Sequence, residues 1–134
     1  MSPVLVDANV LIDVITDNPT WGAWSADKVQ QLSDATVLAI NPLIYAEVSA
    51  GLETVEDLED ALPRDLYERV ELPYEAAFLA GKCFLRYRRR GGQRRSPLPD
   101  FYIGAHAAVA GYRLLTRDAK RYREYFPTLE MIAP

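Results

Sequence analysis

The sequence predicts an α/β fold: a three-layer α/β/α arrangement around a mostly parallel central sheet. Two observations carry this. Short apolar runs alternate with longer segments of helical periodicity. The runs are apolar on successive residues rather than on alternate ones, as in strands covered on both faces. The 134 residues suit one domain, 1–134, with a single core.

Residues 3–7 (Pro3-Val-Leu-Val-Asp7) read as the first buried strand. Asn9 to Ile15 follows as a helix with Val10, Leu11, Val14 and Ile15 apolar, broken by Asp17-Asn18-Pro19. Thr20 is placed to cap a second helix over Trp21–Leu32, on which Trp21 and Trp24 are expected to pack toward the core, with a contact to a partner protein or a second copy as the alternative. Thr36–Ile40 is the second buried strand. Asn41-Pro42 then starts a helix, an amide cap before a proline at the first helical position, and Gly51 suits its end. Thr54–Leu62 forms an acidic helix opened by a capping-box-like Thr54-Val-Glu-Asp57 and stopped by Pro63. Arg69–Leu72 is a short strand, and Tyr74 to about Arg90 a long helix ending at Gly91-Gly92. Ser96-Pro-Leu-Pro99 leads into a helix opened by Asp100 and running to Gly111. Arg113–Thr116 is a buried strand, Ala119–Tyr125 a short helix and Leu129–Ile132 an edge strand.

Composition excludes several classes. Half the residues are hydrophobic and a quarter charged, which is globular, not disordered, composition. No apolar run approaches a bilayer span, and no signal-peptide pattern opens the chain, so the cytoplasm is the expected location, without a membrane partner. Cys83 is the single cysteine, which excludes an internal disulfide and a cysteine metal cluster. The formal net charge is −4, but residues 76–99 hold no acid and carry +7, leaving −11 on the rest of the chain. One strongly basic patch on an acidic protein is a footprint for nucleic acid.

Four acids stand where solvation alone explains them poorly. Asp7 ends the first strand, Glu47 lies in the apolar Leu43–Val48 segment, Asp100 opens its helix and Asp118 follows the Arg113–Thr116 strand. Each has a bland alternative: Asp118 a helix cap, Asp100 a favourable charge at a helix N-terminus, Glu47 a solvated face. Asp7 is the hardest to explain in that way, because acids are depleted in strands. Parallel α/β sheets build their sites at the carboxyl ends of strands, so all four can meet at one sheet edge. Gathered acids repel, and a divalent cation is the simplest compensation. His106, about 240° round its helix from Asp100, is expected to pack rather than join them.

Four blocks in order then carry a resemblance: Val4-Leu-Val-Asp-Ala-Asn-Val-Leu-Ile-Asp13, Asn41–Gly51 with its central Glu47, Leu98–Ala108 with Asp100, and Leu114-Leu-Thr-Arg-Asp-Ala-Lys-Arg-Tyr122. The chain resembles PIN-domain nucleases, most closely the VapC-type toxins of toxin–antitoxin pairs. The resemblance implies that Asp7, Glu47, Asp100 and Asp118 form an acidic catalytic pocket for Mg²⁺ or Mn²⁺. Asp7 and Asp100 are expected as the first direct ligands, then Asp118, with Glu47 expected to ligate through water or to help deprotonate the nucleophile. Asn9 and Thr116 match supporting polar positions. It further implies endoribonuclease activity, a homodimer and a small antitoxin that blocks the pocket.

Six arginines fall between Arg86 and Arg95, interleaved with Tyr87. Arg86, Arg89, Arg90, Arg94 and Arg95 are expected to bind RNA near Asp100, since guanidinium groups grip phosphates bidentately. The rivals are an RNA-binding or RNA-processing protein without a toxin role, and a phosphoacceptor signalling domain. The latter wants a strand-end lysine, whereas Lys28, Lys82 and Lys120 all fall in predicted helices.

Overall fold

The computed structural model describes residues 2–95 and 98–134. Five parallel strands form one sheet in the order β3-β2-β1-β4-β5: β1 Val4–Val6, β2 Leu38–Ile40, β3 Tyr67–Arg69, β4 Arg113–Leu115 and β5 Met131–Ile132. The helices are α1 Ala8–Thr16, α2 Gly22–Ala35, α3 Pro42–Ser49, α4 Val55–Ala61, α5 Tyr74–Arg89, α6 Pro99–Ala110 and α7 Lys120–Tyr125. Strand order reverses at β1. Right-handed crossovers therefore put α1–α4 on one face and α5–α7 on the other, giving the expected three layers. β1 and β2 are buried at every residue, which is why they read as continuous apolar runs.

The reversal places β1 beside β4, with Val6 opposite Leu115, and the next residues are Asp7 and Thr116. A crevice at such a switch point is where open α/β sheets bind ligands. α3 starts as its sequence says: Asn41 Oδ1 accepts from the Ile44 amide and Pro42 sits in the first turn. Thr54 caps α4 through the Asp57 amide. Gly111, at φ 72°, ends α6 in the left-handed region. Gly104 is required by packing: a Cβ there would lie 2.4 Å from the Phe126 ring, so only glycine lets that ring close onto α6.

Several boundaries differ from the sequence reading. Asn18, not Thr20, serves the start of α2, its Oδ1 accepting from the Thr20 and Trp21 amides. Nothing before Thr36 stops α2, so it runs to Ala35 and β2 begins only at Leu38. β3 lies at Tyr67–Arg69 rather than 69–72. Tyr67 supplies the buried residue, and Val70 keeps only an amide bond to Ile40. α3 ends at Ser49 with Ala50 as its cap, and Gly51 follows outside it. α6 opens at Pro99 rather than Asp100; Ser96 and Pro97, expected to lead into it, lie outside the described residues. Trp21 and Trp24 meet edge to face at 6.4 Å, and Trp24 packs on the core. Cys83 is buried. Among the described residues no helix is long and apolar enough to cross a membrane.

Candidate active site

Asp7 is the centre of the site. It follows β1 directly and is 4% exposed. Its Oδ2 accepts from Thr116 Oγ1 at 2.9 Å and from the Tyr122 hydroxyl at 2.8 Å. The same Tyr122 hydroxyl lies 3.3 Å from Asp100 Oδ1, so one phenol links the carboxylates of β1 and α6. Asp100 Oδ2 also meets Arg121 at 3.3 Å. Glu47 projects from α3, and its Oε1 is buried with no hydrogen-bond partner.

The electrostatics tie three of the acids together. Burial, reinforced by the Asp100 charge, raises the Asp7 carboxyl from 3.8 to about 6, against the pull of Tyr122 and Thr116. Burial, then the charges of Asp7 and Asp100, raises Glu47 from 4.5 to about 7. Burial and these same carboxylates push the Tyr122 phenol well up. Asp7, Glu47 and Asp100 therefore face one another. Asp118 stands apart: it is exposed and shares an open cavity of about 310 Å³ with Asp100, Lys120, Arg121 and Glu124. It does not cap α7, whose N-cap is Ala119 without a side-chain bond.

The supporting polar residues form a chain across the β1–β4 seam. Asn9 Nδ2 donates to Thr116 Oγ1 at 3.2 Å, and the Arg117 amide donates to Asn9 Oδ1 at 3.3 Å. The Asp118 amide donates to Thr116 Oγ1 at 3.2 Å. His106 is buried and bonds none of the four acids among the described contacts: its Nδ1 lies 2.9 Å from Asn41 Nδ2, and burial lowers its pKa. Because Asn41 caps α3 and His106 belongs to α6, that bond fixes the helix of Glu47 against the helix of Asp100.

Sequence reasoning missed Tyr122, Asp13 and Arg117. Tyr122 had one signal, its place one turn beyond Asp118 on an amphipathic helix. Asp13 had another: it stands one turn from Asn9 on an otherwise apolar helix, which puts both on one face.

The donors are hard oxygens, Glu47 Oε1 lacks a partner, and Arg121 already supplies a positive charge to Asp100. Chemically, that set fits Mg²⁺ or Mn²⁺. As the side chains stand, no group of three or more His, Cys, Asp or Glu among the described residues could hold a metal ion. The Tyr122 hydroxyl lies between Asp7 and Asp100, and Asp118 is exposed on the cavity that it shares with Asp100.

The arginines divide into groups. Arg86 and Arg90 lie over the Tyr125 ring, at 5.3 and 5.6 Å, and Arg90 pairs with Glu124 at 2.6 Å. A cavity lined by Tyr87, Arg90, Gly91, Arg121 and Glu124 adjoins the one at Asp100 and Asp118, the two sharing Arg121 and Glu124. Arg88 and Arg89 are exposed near the end of α5, and Arg88 holds the Arg94 carbonyl. Arg94 and Arg95 are exposed in the following loop.

Residues 4–126 match the PIN domain. The chain belongs to the PIN domain family. Members of that family are generally nucleases. Solved structures share the fold over nearly the whole chain. One is VapBC2 from Rickettsia felis, bound to a DNA fragment from their promoter: 18% identity, 98% of each chain covered, TM-score 0.75. VapBC-1 from nontypeable Haemophilus influenzae gives 20% identity, 98% of this chain and 97% of that one, TM-score 0.72. A toxin–antitoxin complex from Klebsiella pneumoniae gives 19% identity, 96% and 95% coverage, TM-score 0.66. No curated protein matches this sequence.

Proposed function

We propose that this PIN domain is a metal-dependent endoribonuclease, the toxin of a toxin–antitoxin pair, acting in the cytoplasm. The observation that carries the nuclease reading is Asp7. It is a buried carboxylate at the switch point whose ionisation is opposed by burial and by the Asp100 charge, and which in turn raises Glu47. Asp7 and Asp100 would hold Mg²⁺ or Mn²⁺, with Asp118 joining from the rim. A bound divalent ion supplies an acidified water, a polarised phosphoryl oxygen and a stabilised leaving oxygen. Thr116 and Tyr122 orient Asp7, and Asn9 orients Thr116. Glu47, with its free buried oxygen, is placed to take the proton of the attacking water. Arg90 leads toward the pocket along the cavity it shares with Arg121, and Arg86, Arg89, Arg94 and Arg95 extend the cationic surface for RNA phosphates.

The antitoxin partner is supported by the complexes that share this fold. A homodimer is supported by α5. Its solvent face carries Tyr74, Phe78 and Leu85, exposed by 92%, 70% and 43%, with Gly81 between them. Such a face on an amphipathic helix is normally polar. The stripe is self-complementary about a two-fold axis: in an antiparallel pair, Phe78 meets Gly81 of the second copy and Tyr74 meets Leu85. The same symmetry sets Glu75 beside Lys82 of the second copy.

The test of the enzymatic reading is incubation with cellular RNA in Mg²⁺ or Mn²⁺, with and without chelator, beside Asp7→Asn. Cleavage that chelator and the substitution both abolish is the expected result. Tight RNA binding without cleavage selects the RNA-binding alternative.

A further inference from the structure

The acids of the site lie on separate elements, and Thr116 and Asp118 sit on the short connection between β4 and α7. That connection is held from an unexpected side. Asp13, on α1, is fully buried. Its Oδ2 accepts from Arg117 Nε at 2.7 Å and from Ser25 Oγ of α2 at 3.0 Å. Its Oδ1 is buried with no partner. Arg117 stands between Thr116 and Asp118 in sequence, and its own amide is bound by Asn9 Oδ1. Asn9 and Asp13, one turn apart, thus grip the same residue at its backbone and at its side chain.

An ion pair with a buried carboxylate is a poor stabilising device, because removing that charge from water offsets most of its attraction to the partner, here Arg117 with 32% of its side chain exposed. This pair is poorer still, with one carboxylate oxygen unsatisfied. What it provides is geometry. The guanidinium projects in a fixed direction from Arg117, and the carboxylate is fixed by α1 and α2, so the connection has one seated position. Seating Arg117 aims Thr116 Oγ1 at Asp7 and sets the backbone from which Asp118 reaches the cavity beside Asp100.

We propose that Asp13 and Arg117 are positioning residues for the active site, an ion pair of a buried carboxylate and a half-buried guanidinium that sets Thr116 and Asp118 relative to Asp7. The consequence for catalysis rests on the nuclease reading above; the positioning itself does not.

The test is a triple variant, Asp13→Leu with Arg117→Met and Ser25→Ala, which replaces the pair by apolar groups and leaves no buried hydroxyl without its acceptor. Apolar replacement of a buried pair is commonly neutral or stabilising. An unchanged or higher Tm is therefore expected. Arg117→Lys is the second variant: it keeps the charge at a half-exposed position and loses the Nε–H donor, so its folding is not at risk. Two readouts are followed. Hydrogen exchange at the Arg117 and Asp118 amides should quicken about tenfold or more relative to β1 amides. The kcat for RNA cleavage should fall about 10- to 100-fold at unchanged KM, the scale expected for a group displaced by about 1 Å. Unaltered exchange at both amides, or quickened exchange with unaltered kcat, overturns the proposal. A wild-type protein that cuts no RNA removes the nuclease reading, and the exchange measurement then decides the positioning by itself.

Discussion

Replacing Asp7 by Asn is predicted to stabilise the protein while abolishing its chemistry. Burial, aided by the Asp100 charge, lifts the Asp7 carboxyl from 3.8 to about 6. An acid whose pKa is higher folded than unfolded opposes folding once ionised. The penalty is absent below about pH 3.8, grows between there and about pH 6, and is complete above it. At about 1.4 kcal/mol for each tenfold change in proton affinity, it amounts to about 3 kcal/mol at neutral pH. Asparagine keeps an oxygen for the Thr116 and Tyr122 hydroxyls and removes the charge. In chelator at pH 7.5, Asp7→Asn should melt ~5–10 °C above the wild type, at a few degrees per kcal/mol for a chain of this size. The gap should shrink toward zero as the pH falls to 4. Added Mg²⁺ should narrow it at pH 7.5, because ligand binding stabilises only the wild type. Scanning calorimetry across pH reads all three. A variant less stable than wild type at pH 7.5, or a gap independent of pH, would refute the reasoning.

Three further outcomes are expected. Neutralising Arg89, Arg90 and Arg94 together should weaken RNA binding and reduce the log–log salt slope by about 2, at roughly 0.7 per lost phosphate contact on single strands; filter binding across a salt series checks it, and an unchanged slope removes the RNA role. Asn41→Ala should destabilise by about 2–4 kcal/mol, combining a lost helix cap with a buried His106 nitrogen left unpaired; a loss below about 1 kcal/mol by urea denaturation contradicts that account. Glu75→Lys and Lys82→Glu should each weaken a homodimer seen by sedimentation, and the double exchange should restore it; dimers indifferent to all three variants place the interface elsewhere.

Much of the scaffold is legible in the sequence because the strands are buried on both faces and leave continuous apolar runs. Val4–Val6 and Leu38–Ile40 are such cases. The Asn41-Pro42 and Thr54 starts are legible because capping is local chemistry. β3 is not, since Tyr67–Arg69 is an edge strand with only its first residue buried, and Val70 and Leu72 offered a stronger apolar signal. The gathering of Asp7, Glu47 and Asp100 follows from strand order, which the alternation of elements suggests. Asp118 is less well served: sequence gives its place after β4 but not its exposed side chain. Tyr122, Asp13 and Arg117 owe their roles to contacts across more than 100 residues of chain, from Asp7 to Tyr122 and from Asp13 to Arg117; local pattern marks the places of Tyr122 and Asp13 but not their partners.

The most direct test of the central claim is cleavage of RNA by the purified chain under controlled metal. Free of any partner and supplied with Mg²⁺ or Mn²⁺, it should cut RNA internally. Chelator should stop the reaction, re-added metal should restore it, and Asp7→Asn should stay silent throughout while keeping its fold. Cleavage that persists in chelator, or that survives Asp7→Asn, would contradict the assignment of the buried acids as the catalytic centre.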